Sequence, residues 1–523
     1  MITAPGEGYP TCTRCSRIKR ECRRVETKWR FRHTNPAVRY VDETAKYTQF
    51  NPDSHDVNTT SSLSPPTLDS SQSRSRPASA STSEIRPSGY DPIPSLSLPQ
   101  QNLSLQTHHV PWPLISPRDA CLLRYFIEDL SRWFDLTDPL NHFATAIPQR
   151  ARECSTLLDA ILAVSARHFS TLPAHQKTHI LTVYGLAEQQ IQNLHMTEET
   201  VIHYHNKCIT ELCVLADEPG AVMDQDLLAA VVILRHHLLY LSSPSNPFMN
   251  PPTETALQGL HVSLRAQASS ALSTPGPRQA AFWIGFRQEF NLAFSQQRTT
   301  RLLLSISRSY LSFDEAPDHV WTNRLIVIGT LVLEFCYGEQ ERNQNQAEGG
   351  TSTSSKERYF ELVRLKERWA GERPRSFAPV YVEGPGAGAG AGVGGLFPKI
   401  WYMDDCHTVA GQALGLLGIL LLAYSPLVPR VGVSRREKMD AVDAKIKATV
   451  LEICGMALSN RQSRPAGLTA CIAINICADR FTDSREQQAL MELVVSTMQD
   501  SNYWPTTESQ AKLRAAWRWD DVD

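Results

Sequence analysis

The chain lacks a charge excess of either sign: 52 basic and 54 acidic side chains leave a formal net charge of -2 across 523 residues. A protein that is cationic as a whole is excluded, so any grip on a polyanion has to come from a local block. The first ten residues lack an apolar run and contain Pro and Gly; no secretory signal is read there, and an intracellular chain is expected. A complete P-loop, a G-x-S-x-G elbow and an H-E-x-x-H motif are all missing, which removes the commonest nucleotide, serine-hydrolase and zinc-protease chemistries. A disulfide framework is missing too. Of the twelve cysteines, nine lie singly or loosely paired in apolar segments, as Cys208, Cys213, Cys471 and Cys477 do, and read as reduced core residues.

What is present divides by composition. The length exceeds the usual size of one hydrophobic core, so one large domain or two, with unstructured connections, are expected. Residues 1–33 carry the basic block, dense in Arg and Lys from Thr11 to His33. Residues 34–112 are rich in Ser, Pro, Thr and Gln with little to bury, which predicts a disordered linker. From 113 to 523 the periodicity is helical and the fold class expected is all-α. The chain closes on Asp520, Asp521 and Asp523.

The first helix is well signalled. Ser116 stands as N-cap, Pro117 in the first turn and Asp119 near the positive end, and Leu122, Phe126, Leu130 and Trp133 share a face that Leu123, Ile127 and Phe134 widen. Further helices are expected near 155–170, 177–195, 199–216, 225–242, 277–296, 399–425, 436–458, 466–480, 484–499 and 507–518. A capping box, Ser434 with Glu437, precedes Met439, Val442, Ile446, Val450 and Ile453 at helical spacing. The Ile- and Val-rich run Leu325–Leu333 is read as a buried helix because no alternating strand partners flank it.

Two segments invite a sharper reading than they sustain. Val409–Leu427 is nearly all apolar, with Gly411 and Gly415 at helix-packing spacing, but Gln412, Ser425 and Pro426 interrupt it; a buried central helix is expected rather than a membrane span. The Gly/Ala tract at 383–395 contains a G-x-G-x-x-G match at Gly390, Gly392 and Gly395, after the strand-like Val380–Val382. No helix opens behind those glycines, since Leu396, Phe397 and Pro398 follow, so the tract is read as a flexible loop.

Cys12, Cys15 and Cys22 follow C-x2-C-x6-C. Thiolates so spaced can wrap one tetrahedral zinc and leave one position open; the bland alternative is free cysteines in a basic tail. The block TCTRCSRIKREC resembles the second half of the fungal binuclear zinc cluster, in which two such halves hold two zinc ions with six thiolates. Pro10 stands two residues before Cys12, as the loop proline commonly does, and RRVETKWRFRH follows Cys22 like the family's basic, aromatic exit. The first half is not seen, and no further cysteine appears before Cys121. Either the start lies too far downstream or half of the unit has been lost; the closeness of the remnant to a working half favours the first explanation.

That resemblance implies zinc held by Cys12, Cys15 and Cys22. Arg14, Arg17, Lys19, Arg20, Arg23, Arg24, Lys28 and Arg30 are positioned to meet DNA phosphates without reading sequence. In the intact family the first half supplies three more ligands and the lysine that reaches base edges. His33 could complete a mononuclear site, but a histidine in a basic tail is more often an ordinary surface residue.

A second resemblance, over much of 117–518, is to the fungal-specific transcription factor domain that follows zinc clusters. It rests on LLRYFIEDLSRWFDLTDPLNHFATAIPQRA, STLLDAILAVSARHF, ERWAGERPRSFAPV and FPKIWYMDDCHTVAGQALGLLGILLL, with Trp133, Asp138, Pro139, Asn141, Phe397, Pro398 and Trp401 as markers. Together the two imply a nuclear, zinc-dependent, sequence-specific DNA-binding transcription factor for RNA polymerase II genes in a fungus, meeting DNA and co-regulators and no membrane. The alternative is a co-regulator that no longer binds DNA by itself. Homodimerisation through a coiled coil is common in the family, but no heptads stand between 34 and 112, and the oligomeric state stays open.

An enzyme is not expected. His203 and His205 lie two apart and would point to nearly opposite sides of a helix, so HYHNKC, with Cys208, does not make a metal site. Asp404 and Asp405 resemble metal-binding carboxylates of helical enzymes, yet no second carboxylate cluster stands at matching spacing.

Overall fold

The computed structural model describes residues 112–519 except 115, 188, 191–193, 195, 216–217, 219, 239–250, 302–309, 346–354, 387–394, 430 and 501–505. The chain divides into Met1–Gln101 and Asn102–Asp523. The basic block and the linker lie outside the described residues.

Helix begins where the sequence signals it. Ser116 adopts extended backbone and its hydroxyl accepts from the Asp119 amide, with Pro117 in the first turn of α1 (Pro117–Tyr125). The chain then passes through one π-helical turn, Phe126–Leu130, where the Ser131 amide reaches back to the Phe126 carbonyl, and continues as α2 (Ser131–Phe134). Leu122, Phe126, Leu130 and Trp133 are all buried, as the periodicity required.

The fold is all-helical apart from one small hairpin among the described residues. After α3 (Ala146–Arg150) and α4 (Ser155–Thr171) come α5 (Ala174–Val183) and α6 (Glu198–Leu215), then α7 (Gln225–Leu238), α8 (Pro251–Ser273) and α9 (Pro277–Ser295). Helices α10 (Asp318–Asn345) and α11 (Ser355–Glu372) follow. A hairpin of β1 (Tyr381–Glu383) and β2 (Lys399–Trp401) leads into α12 (Asp405–Ala423), α13 (Arg435–Ser459), α14 (Arg464–Cys477), α15 (Ser484–Asp500) and α16 (Thr507–Trp517).

Helix α4 packs against α6 and α7 at one end of the body; α12 packs against α10 and α13 at the other, and α9 joins the two through α7 and α10. One continuous hydrophobic core runs through both ends. Its spine is α9, where Phe282, Phe286, Phe290 and Phe294 recur every fourth residue and are all fully buried. Opposite them, Gly329 of α10 lets the backbone close in: a Cβ there would lie 2.4 Å from the Phe290 ring.

Several expectations are met. Leu325–Leu333 lies in α10 and is buried almost throughout. The apolar run around Val409 is α12, packed on α10 and α13, and Gly411 and Gly415 face Tyr402, Met456 and Ile453 of its neighbours at distances a side chain would not fit. By length and composition alone α12 and Asp318–Gly338 are also apolar enough to cross a membrane.

Others need correction. The helix expected over 399–425 opens as a strand, with Tyr381 paired to Trp401 and Glu383 to Lys399. The helix expected over 177–195 breaks after Val183, turning at Gly185, whose φ of 85° suits glycine, and residues 189–190 are helical again. Ser434 precedes α13 but makes no side-chain cap bond, so the capping box does not form, and the buried stripe of α13 starts at Ile446 with Met439 left outside. Helices α8 and α11 were not anticipated.

Candidate functional site

An open cleft of about 1030 Å³ lies among the described residues. Its walls come from four places in the sequence: the continuous stretch from the π turn through α2 to Thr145, the first turn of α10, the turn that enters α12, and Gln462 between α13 and α14. Six carboxylates line it, those of Glu128, Asp135, Asp138, Asp318, Asp404 and Asp405, against one arginine, Arg132, and His319.

Local backbone demands put each carboxylate in place. Asp135 accepts from the Phe143 and Ala144 amides at 2.9 and 3.0 Å, which closes the loop. Asp138 accepts from the His142 amide at 2.7 Å and lies 2.8 Å from that ring's Nδ1. The turn between them holds Asn141 at a positive φ of 51°, a conformation that asparagine tolerates better than most residues. Asp404 is the N-cap of α12, accepting from the Cys406 amide at 2.8 Å, and Asp405 and Asp318 open α12 and α10, where the helix dipole favours an acid. His407, buried behind the wall, sets its Nε2 2.8 Å from Asp318.

The charge is nonetheless poorly matched. Glu128 has Arg124 at 2.7 Å, but no ion pair reaches Asp135, Asp404 or Asp405 among the described residues. Burial, with the nearby charge of Asp138, pushes the Asp135 carboxyl up to about 7, against the pull of its two amide bonds and of Arg287 behind the turn. Burial raises Asp405 as well. Among the described residues no group of three or more His, Cys, Asp or Glu is disposed to hold a metal ion. Asp404 and Asp405 therefore do gain further carboxylates from distant segments, which the sequence reading did not find, but not in a metal-binding arrangement. The signal available was the pair of short acidic turns, DLTDP and YMDDC, each at a helix junction.

The other anticipated residues fall in two classes. Cys12, Cys15, Cys22 and the eight cations Arg14, Arg17, Lys19, Arg20, Arg23, Arg24, Lys28 and Arg30 lie outside the described residues, as do Gly390 and Gly392 of the Gly/Ala tract. His205 and Cys208 are buried in α6 while His203 is exposed, so the helix does separate the two histidines.

Residues 121–272 match the model of the fungal specific transcription factor domain, which points to a regulator of transcription and not to an enzyme. The matched stretch runs from α1 to the end of α8; the segments around ERWAGERP and FPKIW lie beyond it. No curated protein and no solved structure matches the chain.

Proposed function

We propose that the chain is a fungal nuclear transcription regulator that uses a zinc-held basic module to bind DNA at chosen sites and a helical body to receive other proteins. The observation that carries this reading is the order of two features: a C-x2-C-x6-C trio in a block dense in Arg and Lys, followed by the matched domain at 121–272.

The donor set sets the terms. Cys12, Cys15 and Cys22 fill three corners of a tetrahedral zinc site, one ligand short of a closed mononuclear site and three thiolates short of a two-zinc cluster. Bound zinc would supply folding energy to a segment too short for a core of its own. Arg14, Arg17, Lys19, Arg20, Arg23, Arg24, Lys28 and Arg30 then neutralise phosphates and displace counterions; eight such contacts would give log K against log salt a slope of about -7.

The test uses the protein made from the mapped 5′ end of its own transcript. Zinc content is measured and bound sequences are selected from random DNA. A Cys12→Ser, Cys15→Ser double variant is expected to lose the metal and the selected sites, with the thermal melt of the helical body unchanged. Unaltered site selection in that variant would overturn the reading. The shortfall of thiolates favours one other outcome, a co-regulator without its own grip on DNA: the wild-type protein then selects no sites, and its chromosomal occupancy disappears when its DNA-bound partner is deleted.

A further inference from the structure

The cleft does not end at its carboxylates. Met403 forms part of its lining and is 78% exposed; two residues earlier in the chain, Trp401 is 43% exposed and sits directly across the hairpin from Tyr381, which is 51% exposed. Alternation along the strands puts Tyr381, Trp401, Glu383 and Lys399 on one face, with Glu383 and Lys399 in a 2.8 Å ion pair, and turns Ile400 inward onto α13.

This face is held firmly. The Asn460 side chain donates to the Ile400 carbonyl and accepts from the Tyr402 amide, both at 2.8 Å, and Ser459 accepts from the Ile400 amide, so the outer edge of β2 is tied to the end of α13. An aromatic pair fixed in water beside a cleft in which Asp404 and Asp405 have no ion pair among the described residues is a feature the core does not need. On the cleft's other side Leu140, next to the lining residue Pro139, is 63% exposed.

We propose that the outer face of the hairpin and the adjoining cleft form one docking surface for a basic peptide segment of a partner protein. Apolar side chains of that segment lie on Tyr381, Trp401 and Met403, and its Lys or Arg side chains reach Asp404 and Asp405. Charge complementarity selects this occupant. Nucleic acid and anionic lipid would meet carboxylates, and a small polycation would leave the aromatic pair uncovered. The inference goes beyond the DNA-binding reading and holds whether or not the trio binds zinc.

The probe is a fluorescein-labelled twelve-residue peptide with a central Leu-Phe pair flanked by three Lys or Arg on each side, titrated into the full chain without DNA. Binding is expected, weakening steeply between 50 mM and 500 mM salt. An Asp404→Asn, Asp405→Asn double variant, which keeps an N-cap side chain, is expected to weaken it about five- to tenfold. Trp401→Ala is expected to weaken it roughly tenfold or more. A control double variant on the exposed face of α11, Glu361→Gln with Glu367→Gln, changes net charge equally and should leave binding as it was. Thermal melts verify that each variant is folded.

Four results would overturn the inference. They are no measurable binding, equal binding of a peptide with Glu in place of its Lys and Arg, equal loss in the α11 control, and full affinity for the peptide in Trp401→Ala. Spermine that displaces the peptide and binds Trp401→Ala as tightly as wild type, in a protein whose peptide affinity also ignores that change, marks a small-polycation site and refutes the docking surface.

Discussion

Two places in this molecule gather charge, and they do so in opposite ways. At the first, Glu289 of α9 is fully buried and is met by Arg235 of α7, by Arg298 at 2.8 Å, by the Arg301 amide at 3.1 Å, and by the ring of His261 of α8 at 3.8 Å. At the second, the cleft, carboxylates outnumber cations, and those of Glu128 and Asp404 are exposed to water. The first joins three helices and a loop, and its cost in desolvation is offset by close partners. The second has positions fixed by backbone amides and helix starts, and its charge is left for something else to match. A buried carboxylate with partners is a structural joint, whereas an ordered carboxylate without them is available for recognition.

Removing the joint should have the largest effect. Glu289→Ala leaves Arg235 and Arg298 without their anion and is expected to cost about 3–5 kcal/mol in urea unfolding. Burial pushes the Glu289 carboxyl up, but the Arg298 hydrogen bond and the charge of Arg235 outweigh it and hold the group down at about 2. A carboxylate with a lowered folded value stabilises above its unfolded value near 4.5, and that share is lost as pH falls through about 2. Acid unfolding of the wild type should therefore steepen below pH 4.5, and Glu289→Ala should not show that component.

Asp135 should respond with the opposite sign and less strength. Its folded value is raised, so its contribution is fully present below about 4 and is lost as pH rises through about 7. Asp135→Asn has one acceptor for two amides and is expected to cost about 1–2 kcal/mol at pH 5, the gap narrowing by pH 8. Urea midpoints at the two pH values check it, and a gap that widens instead would place the proton elsewhere.

Smallest of all is the expected stability effect of Asp404→Asn with Asp405→Asn, within about 0.5 kcal/mol, because asparagine still caps α12 and neither carboxylate has an ion pair to lose. A melt lowered as far as in Glu289→Ala would erase the distinction between the two regions.

Much of the scaffold was legible in the residues, and little of the cleft. The start of α1, the burial of Leu325–Leu333 and the close approach at Gly411 and Gly415 are local or single-helix matters, written as caps, apolar runs and spacing. The strand-like Val380–Val382 was legible and overlaps β1, but β2 and its pairing escaped because the Gly/Ala tract separates the two strands and pairing across such a gap leaves no periodic trace at Lys399. Helix α8 escaped because its window mixes Ser, Thr, Gln and Ala with only a few apolar residues. Asp404 and Asp405 stood out as a pair, but Asp135, Asp138 and Asp318 join them only through the packing of α2, α10 and α12, which no spacing rule encodes. The Glu289 cluster likewise depends on three helices meeting.

The widened turn at Phe126–Leu130 sets an angular offset on which the cleft depends. It accommodates one residue more than an ordinary helical turn, so the chain after it is rotated relative to the chain before it. Excising one residue there would leave the downstream direction nearly as it is, but winding the same residues as regular α-helix would swing the downstream polypeptide by about 100° around its axis. Trp133 and Phe134 would then leave the interior, and the DLTDP corner would no longer face the entry to α12, so this one-residue surplus acts as the hinge pin that aligns one wall of the cleft with the other.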